Sequence, residues 1–229
     1  MIKSGFFSLA LLSIVIYSSC NSQAKTDSND QRDTVVYDET RPIGNDYLEH
    51  LLEIKSEAEL KQKFGVDRVK YDTIWGAEGN FGFGTYIDKD TKDEVQIMWA
   101  DSLRTGGVMS AMALAFYDQK TGNYIFDNRW SSEKGIKIGT TTDELEKLNG
   151  KSFVFSGFGW DYGGGIMDWK GGKLDVEGLG IALTEDLEVN EIPEKEYMQI
   201  LGDQEVKSDH PVVKKVQPRV YRLTVYNEN

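Results

Sequence analysis

Side chains able to do covalent or acid–base chemistry are scarce in this sequence. Its 229 residues hold one cysteine, Cys20, and two histidines. His210 lies in Ser208-Asp209-His210-Pro211 and reads as a solvated loop residue rather than a general base. There is no G-x-S-x-G, H-E-x-x-H, P-loop or C-x-x-C motif, and no His, Cys or carboxylate cluster has zinc-ligand spacing. No catalytic residue, metal or cofactor is therefore assigned. Carboxylates are plentiful, at 38 Asp plus Glu, so one enzymatic chemistry stays open. Glycoside hydrolysis needs two carboxylates about 5–10 Å apart, one with a raised pKa. Glu78 and Asp161, each just after a strand tryptophan, are the candidates. The acidic run Asp88 to Glu94 has the spacing of a calcium loop only in part. Such a loop needs Gly at position 6 and Glu at position 12, and Asp93 and Trp99 stand there. A polar hairpin turn is the expectation.

Two glycine–aromatic segments are the other candidates for function. They are Trp75-Gly-Ala-Glu-Gly-Asn-Phe-Gly-Phe-Gly84 and Gly157-Phe-Gly-Trp-Asp-Tyr-Gly-Gly-Gly165. Glycine permits positive φ and close backbone approach but weakens strands, so its density beside bulky rings needs a reason. One reading is a binding face built from Trp75, Glu78, Asn80, Phe158, Trp160, Asp161 and Tyr162, because aromatics supply contact area with few rotamers to freeze. The other is a β-bulge corner with Trp75 and Trp160 in the core over glycines. The usual burial of large aromatics favours the corner.

Both segments follow predicted helix–strand units. Tyr47, Leu48, Leu51 and Leu52 have helical spacing. Ser56 with Glu59, and Thr141 with Glu144, form capping boxes ahead of helices that Gly65 and Gly150 end. Strands are expected at Val66–Trp75, Thr85–Ile87, Glu94–Ala100, Val108–Tyr117, Tyr124–Phe126, Ser152–Phe158, Ile166–Trp169, Leu174–Val176 and Arg219–Tyr226. Alternation in the fourth puts Val108, Met112, Leu114 and Phe116 on one face and Ala111, Ala113 and Ala115 on the other, whereas a helix there would place Met109, Met112, Ala113 and Phe116 together.

The two helix–strand units align at an offset of 85, with six identities in positions 56–79, among them Trp75 with Trp160 and Gly79 with Gly164. This predicts an α+β fold of two similar repeats, 46–130 and 131–229, each a helix with strands, on an antiparallel sheet with helices on one face. The segment Gly139-Thr-Thr-Thr-Asp-Glu-Leu-Glu-Lys-Leu-Asn-Gly150 resembles the repeat of beta-lactamase-inhibitor-protein-like domains. That group includes small outer-membrane assembly lipoproteins, and the resemblance implies helices packed on one face of an antiparallel sheet. Paired helices ahead of Thr141, usual in that fold, are not evident. Gly135-Ile-Lys-Ile-Gly139 with Gly157-Phe-Gly-Trp-Asp-Tyr-Gly-Gly164 resembles a group of bacterial envelope proteins sharing that block. The group has no assigned activity, so the resemblance implies none.

The first nineteen residues read as an export signal. Lys3 precedes the uncharged apolar run Gly5 to Tyr17, shorter than the roughly 20 residues of a membrane span and right for a signal h-region. Ser18 and Ser19 then precede Cys20, which resembles the bacterial lipobox, although Tyr17 stands where Leu is usual. That resemblance implies a diacylated Cys20, a membrane partner through the lipid anchor, and a place in the cell envelope, at the outer membrane or the periplasmic face. Residues 20–45, with a polar stretch from Asn21 to Thr34, read as a tether. The net charge is −12 and becomes −13 once Lys3 is removed with the leader, which argues against a nucleic-acid partner. The expected function is non-catalytic: a lipoprotein binding an envelope protein or glycan through the glycine–aromatic face. A carboxylate-dependent hydrolase acting on envelope glycan and a purely structural lipoprotein are the alternatives.

Overall fold

The structure is a computed structural model that describes residues 46–184 and 192–227. The predicted leader, Cys20 and the tether fall outside the described residues, all of which belong to the compact unit 42–229. The fold is α+β, with antiparallel sheets and a few short helices.

A 3-10 turn at Leu48–Leu51 leads to α1, Glu57–Phe64. Ser56 Oγ accepts the Glu59 N–H at 3.2 Å, and Glu59 in turn accepts the N–H of Lys55. Strands β1 (Val69–Trp75), β2 (Phe81–Ile87), β3 (Val95–Trp99) and β4 (Val108–Leu114) follow as a meander. A small hairpin of β5 (Phe116–Asp118) and β6 (Asn123–Ile125) precedes α2, Thr142–Asn149, where both halves of the predicted capping box form. Then come β7 (Val154–Ser156), β8 (Ile166–Asp168), β9 (Leu179–Thr184), α3 (Glu194–Tyr197), β10 (Glu205–Lys207), α4 (Pro211–Val216) and β11 (Arg219–Tyr226).

The main sheet has the order β1-β2-β3-β4-β11-β9, antiparallel throughout, and a second sheet has the order β10-β7-β8. One face of the main sheet carries Val69, Ile87, Val95, Ile97, Ala113, Leu223 and Ile181. These join Leu60 and Phe64 of α1, Leu145 of α2, Val213 of α4, Phe155 of β7 and its neighbour Phe153 in one core. Burying such side chains is the main favourable term in folding, at about 25 cal/mol per Å². The alternation expected in β4 is broken by an irregular register against β3 between Met98 and Trp99, which turns Val108 to the alanine side, so Val108, Ala111 and Ala113 are all buried.

The second half departs from expectation in several places. Leu174–Val176 forms turns instead of a strand. Strands β9 and β10 and helix α4 lie where no element is expected. His210 is partly buried and caps α4, its Nδ1 accepting the Val212 N–H at 3.2 Å, so it is not a solvated loop residue. The likeness of the two predicted repeats extends through the helix caps and stops at the sheets. The strand after α1 is an edge of the main sheet, whereas the strand after α2 is the middle of the small one. The halves also share the main sheet, because β11 pairs directly with β4.

Candidate functional site

The β1–β2 hairpin starts inside the core and leaves it. Its register pairs Val69 with Ile87, Tyr71 with Thr85, Thr73 with Phe83 and Trp75 with Phe81. With a two-residue side-chain period, these residues share the core-side face of the sheet. At the base, Val69 and Ile87 are buried, and Thr85 Oγ1 accepts the Trp99 indole N–H at 2.9 Å. Further out the same face is bare: Tyr71, Trp75, Phe81 and Phe83 are 47, 69, 62 and 58% exposed. The rings form a chain. Tyr71 stacks near Phe83 at 6.1 Å, Phe83 meets Phe81 edge-on at 6.1 Å, and Phe81 meets Trp75 at 5.4 Å.

The opposite face of the hairpin explains how it holds its shape. Ile74 and Tyr86 are buried there, and the Tyr86 hydroxyl donates to the Thr73 carbonyl at 2.7 Å. A Cβ on Gly84 would lie 2.4 Å from Ile74 Cδ1 and 2.5 Å from the Ile97 carbonyl oxygen. That glycine is therefore a notch receiving Ile74. At the inner end, the Arg104 guanidinium lies 4.0 Å from the Tyr71 ring centroid and pairs with Glu57. Burial disfavours the Glu57 carboxylate, but Lys61 and Arg104 more than offset it and hold its pKa below the ordinary glutamate value.

The tip is closed by Gly76 N–H donating to Asn80 O at 2.7 Å and by Asn80 Nδ2 donating to Ala77 O at 3.1 Å. Glu78 adopts a left-handed φ of 57°, and its N–H donates to Asp161 Oδ2 at 2.9 Å. The two glycine–aromatic segments, distant in sequence, thus meet in space. In the second segment Trp160 is 39% and Tyr162 47% exposed, their rings in an edge contact at 5.3 Å. Trp160 Nε1 donates to Gly157 O at 2.9 Å, which fixes the indole. Gly164 has φ +75°, and a Cβ on it would lie 1.9 Å from the Leu183 carbonyl oxygen. The glycines of this block let its backbone lie directly on β9.

Of the seven residues predicted for the face, six are exposed on the tip and the loop; Phe158 instead points inward, at 3% exposure, against Phe155. The expected burial of Trp75 and Trp160 over glycines is corrected. The glycines do serve packing, but they receive Ile74 and β9, and both indoles keep substantial exposed surface. Tyr71, Phe81 and Phe83 join the face beyond the predicted seven. The alternation Tyr71, Thr73, Trp75 was the signal available for the first of them.

Glu78 and Asp161 are both exposed. A general acid with a raised pKa needs a group out of water. Burial pushes up the carboxyls of Asp93 and Glu49. Asp93 accepts the Arg129 N–H at 2.9 Å, and Glu49 accepts that of Glu133. The Asp88–Glu94 segment is a hairpin turn, organised by the Asp88–Arg68 ion pair and by Glu94 accepting the Asp90 N–H. Among the described residues, no three His, Cys, Asp or Glu side chains are grouped to hold a metal, and no helix is long and apolar enough to cross a membrane. Comparison with known protein families, curated proteins and solved structures finds no match.

Proposed function

We propose that this chain is a non-catalytic lipoprotein of the cell envelope, held to a membrane by acylated Cys20, that binds an envelope protein or glycan through its hairpin-and-loop aromatic face. The observation that carries the binding part is the chain of four exposed rings from Tyr71 to Trp75, continued through the Glu78–Asp161 hydrogen bond to Trp160 and Tyr162. Contiguous exposed apolar surface of this kind marks interaction sites in proteins, and Trp and Tyr are the residues that most often dominate binding energy. The anchor rests on the sequence: a short apolar leader ending at the sole cysteine. A hydrolase draws less support, since both of its candidate carboxylates are exposed at a hairpin tip and a loop.

The test is affinity capture from solubilised native envelope with the lipidated chain as bait, beside Trp75→Ala and a Trp160→Ala, Tyr162→Ala double variant. Loss of the same partner or glycan from both baits is expected. Recovery of an identical set by all three rejects the face. Cys20→Ser separately reports on the anchor, since it should leave the membrane fraction or stay unprocessed.

A further inference from the structure

At the opposite end of the β1–β2 register from the hairpin tip, the turn between β2 and β3, the β5–β6 hairpin and the start of β11 enclose a groove of about 610 Å³. Its volume lies in the range of small-molecule sites, about 300–1,000 Å³. Beside aliphatic and neutral polar residues, its lining carries phenols and carboxylates. Three phenol rings come from Tyr117, Tyr124 and Tyr221, and three carboxylates from Asp90, Glu94 and Asp118. Tyr124 stands between the other rings, 5.3 Å from Tyr117 and 6.3 Å from Tyr221, with interplanar angles of 64° and 49°. The three rings therefore pack on one another as one aromatic wall of the groove.

The carboxylates are held in place. Glu94 accepts the Asp90 N–H at 2.8 Å and the Gln96 amide at 3.0 Å. Asp118 accepts the Lys120 N–H at 2.9 Å and the Thr121 hydroxyl at 3.0 Å. Asp90 has a left-handed φ of 64° in the turn. Lys120 is the one cationic side chain among the lining residues, against three anionic ones. Burial, then the neighbouring Tyr221 and Tyr117, push the Tyr124 phenol above its ordinary pKa, so it remains a neutral ring at physiological pH. One cation already lies near a ring of this cluster: the Arg222 guanidinium is 5.8 Å from the Tyr221 centroid.

We infer that this groove binds a methylated ammonium group. The argument is complementarity of two terms. Ring faces attract a weakly hydrated cation through their quadrupoles, and fixed carboxylates around them supply net negative charge, in a chain whose overall charge of −12 already concentrates cations. A small metal ion would need oxygen ligands converging on one point, and no such group occurs among the described residues. An anionic ligand would be repelled by the three carboxylates of the lining. The inference is independent of the hairpin face, which lies on other residues.

The probe is choline, with 3,3-dimethylbutan-1-ol as its uncharged isostere, titrated into the full chain carrying Cys20→Ser and followed by backbone amide NMR. Choline should shift resonances of the β5–β6 hairpin, Asp90 and Tyr221 saturably, and the isostere should bind at least about tenfold more weakly. Tyr124→Leu should weaken choline about tenfold, while Tyr124→Phe, which keeps the ring face, should weaken it far less. Asp90→Asn, which keeps a side chain tolerant of the left-handed angle, should weaken it several-fold and reduce its dependence on salt. Competition by phosphatidylcholine vesicles would identify a lipid headgroup as the source, and no competition a free amine. Equal binding of the isostere, or no groove shifts at about 50 mM choline, overturns the inference.

Discussion

Trp75 and Trp130 offer a direct contrast between a ring left at the surface and a ring held in the core. Trp75 is 69% exposed, and Trp130 is 1% exposed with its Nε1 donating to the Asp93 carbonyl at 3.2 Å. Replacing Trp75 by Ala removes about a third of a ring's roughly 250 Å² from apolar contact, which at about 25 cal/mol per Å² is at most about 2 kcal/mol. Its ring contact with Phe81 is part of that. Trp130→Ala empties a core site and strands the Asp93 carbonyl, for about 3–5 kcal/mol. Against a total stability of about 5–15 kcal/mol, the first change is tolerable and the second removes a large share. Urea denaturation followed by far-ultraviolet circular dichroism gives both differences, provided the m-values agree. If Trp75→Ala costs as much as Trp130→Ala, Trp75 is covered in solution and the argument for an interaction face fails.

Two further outcomes follow from the packing and the electrostatics. Gly164→Ala should cost about 3 kcal/mol or more, from the left-handed angle and from forcing the loop off β9, whereas Gly171→Ala, at φ +65° with nothing within 4 Å, should cost about 1 kcal/mol; equal melting shifts would refute the close packing of the loop on β9. Burial raises the pKa of Asp93, whose carboxylate accepts the Arg129 N–H. The native state therefore binds the proton more readily than the unfolded chain, and acidification through the raised value toward the unfolded value of about 3.9 relieves a penalty. Asp93→Asn keeps the acceptor and removes the titration, so the unfolding free energy of the parent minus that of the variant should rise as pH falls through that window. A difference that is flat or falls with acid refutes the raised value.

The helix ends were legible because capping is local chemistry. Ser56 and Thr141 meet their N–H partners within three residues, and Gly65 and Gly150 take the positive φ that ends each helix. Strand β11 was legible from its alternation, although an irregularity against β9 between Val220 and Arg222 shifts which residues point inward. β9 was not, since Gly180 breaks its pattern and it draws its place from pairing with β11, a contact distant in sequence. α4 was not, because six residues opened by Pro211 carry too little periodicity to register, and its cap is a histidine. At the candidate site, the residue types pointed to two segments that the fold brings together through the Glu78–Asp161 hydrogen bond. Whether a ring is exposed depends on what packs over the sheet beyond Val69 and Ile87, which alternation cannot state. Phe158 shows the same ambiguity in reverse, lying in the core inside a segment otherwise exposed.

The hairpin separates the requirements of folding from those of contact. Its far end could in principle be anchored by burying its aromatics, which would leave nothing to offer a partner. Instead the apolar burial is on the other face, where Ile74 fits over Gly84 and Tyr86 donates its hydroxyl to the strand that carries the rings. The tip is tied by backbone bonds to Asn80 and by the Asp161 carboxylate. Four rings can therefore be held in fixed positions while contributing little to stability themselves. A ligand meeting such a face has little side-chain entropy left to remove, since aromatic side chains have few rotamers and these are already braced against one another. A sequence selected only for stability would favour polar residues at Tyr71, Trp75, Phe81 and Phe83, because exposed apolar surface invites aggregation without strengthening the fold. Their presence on a braced hairpin, with the glycine notch opposite, is the feature of the fold that supports the proposed contact face.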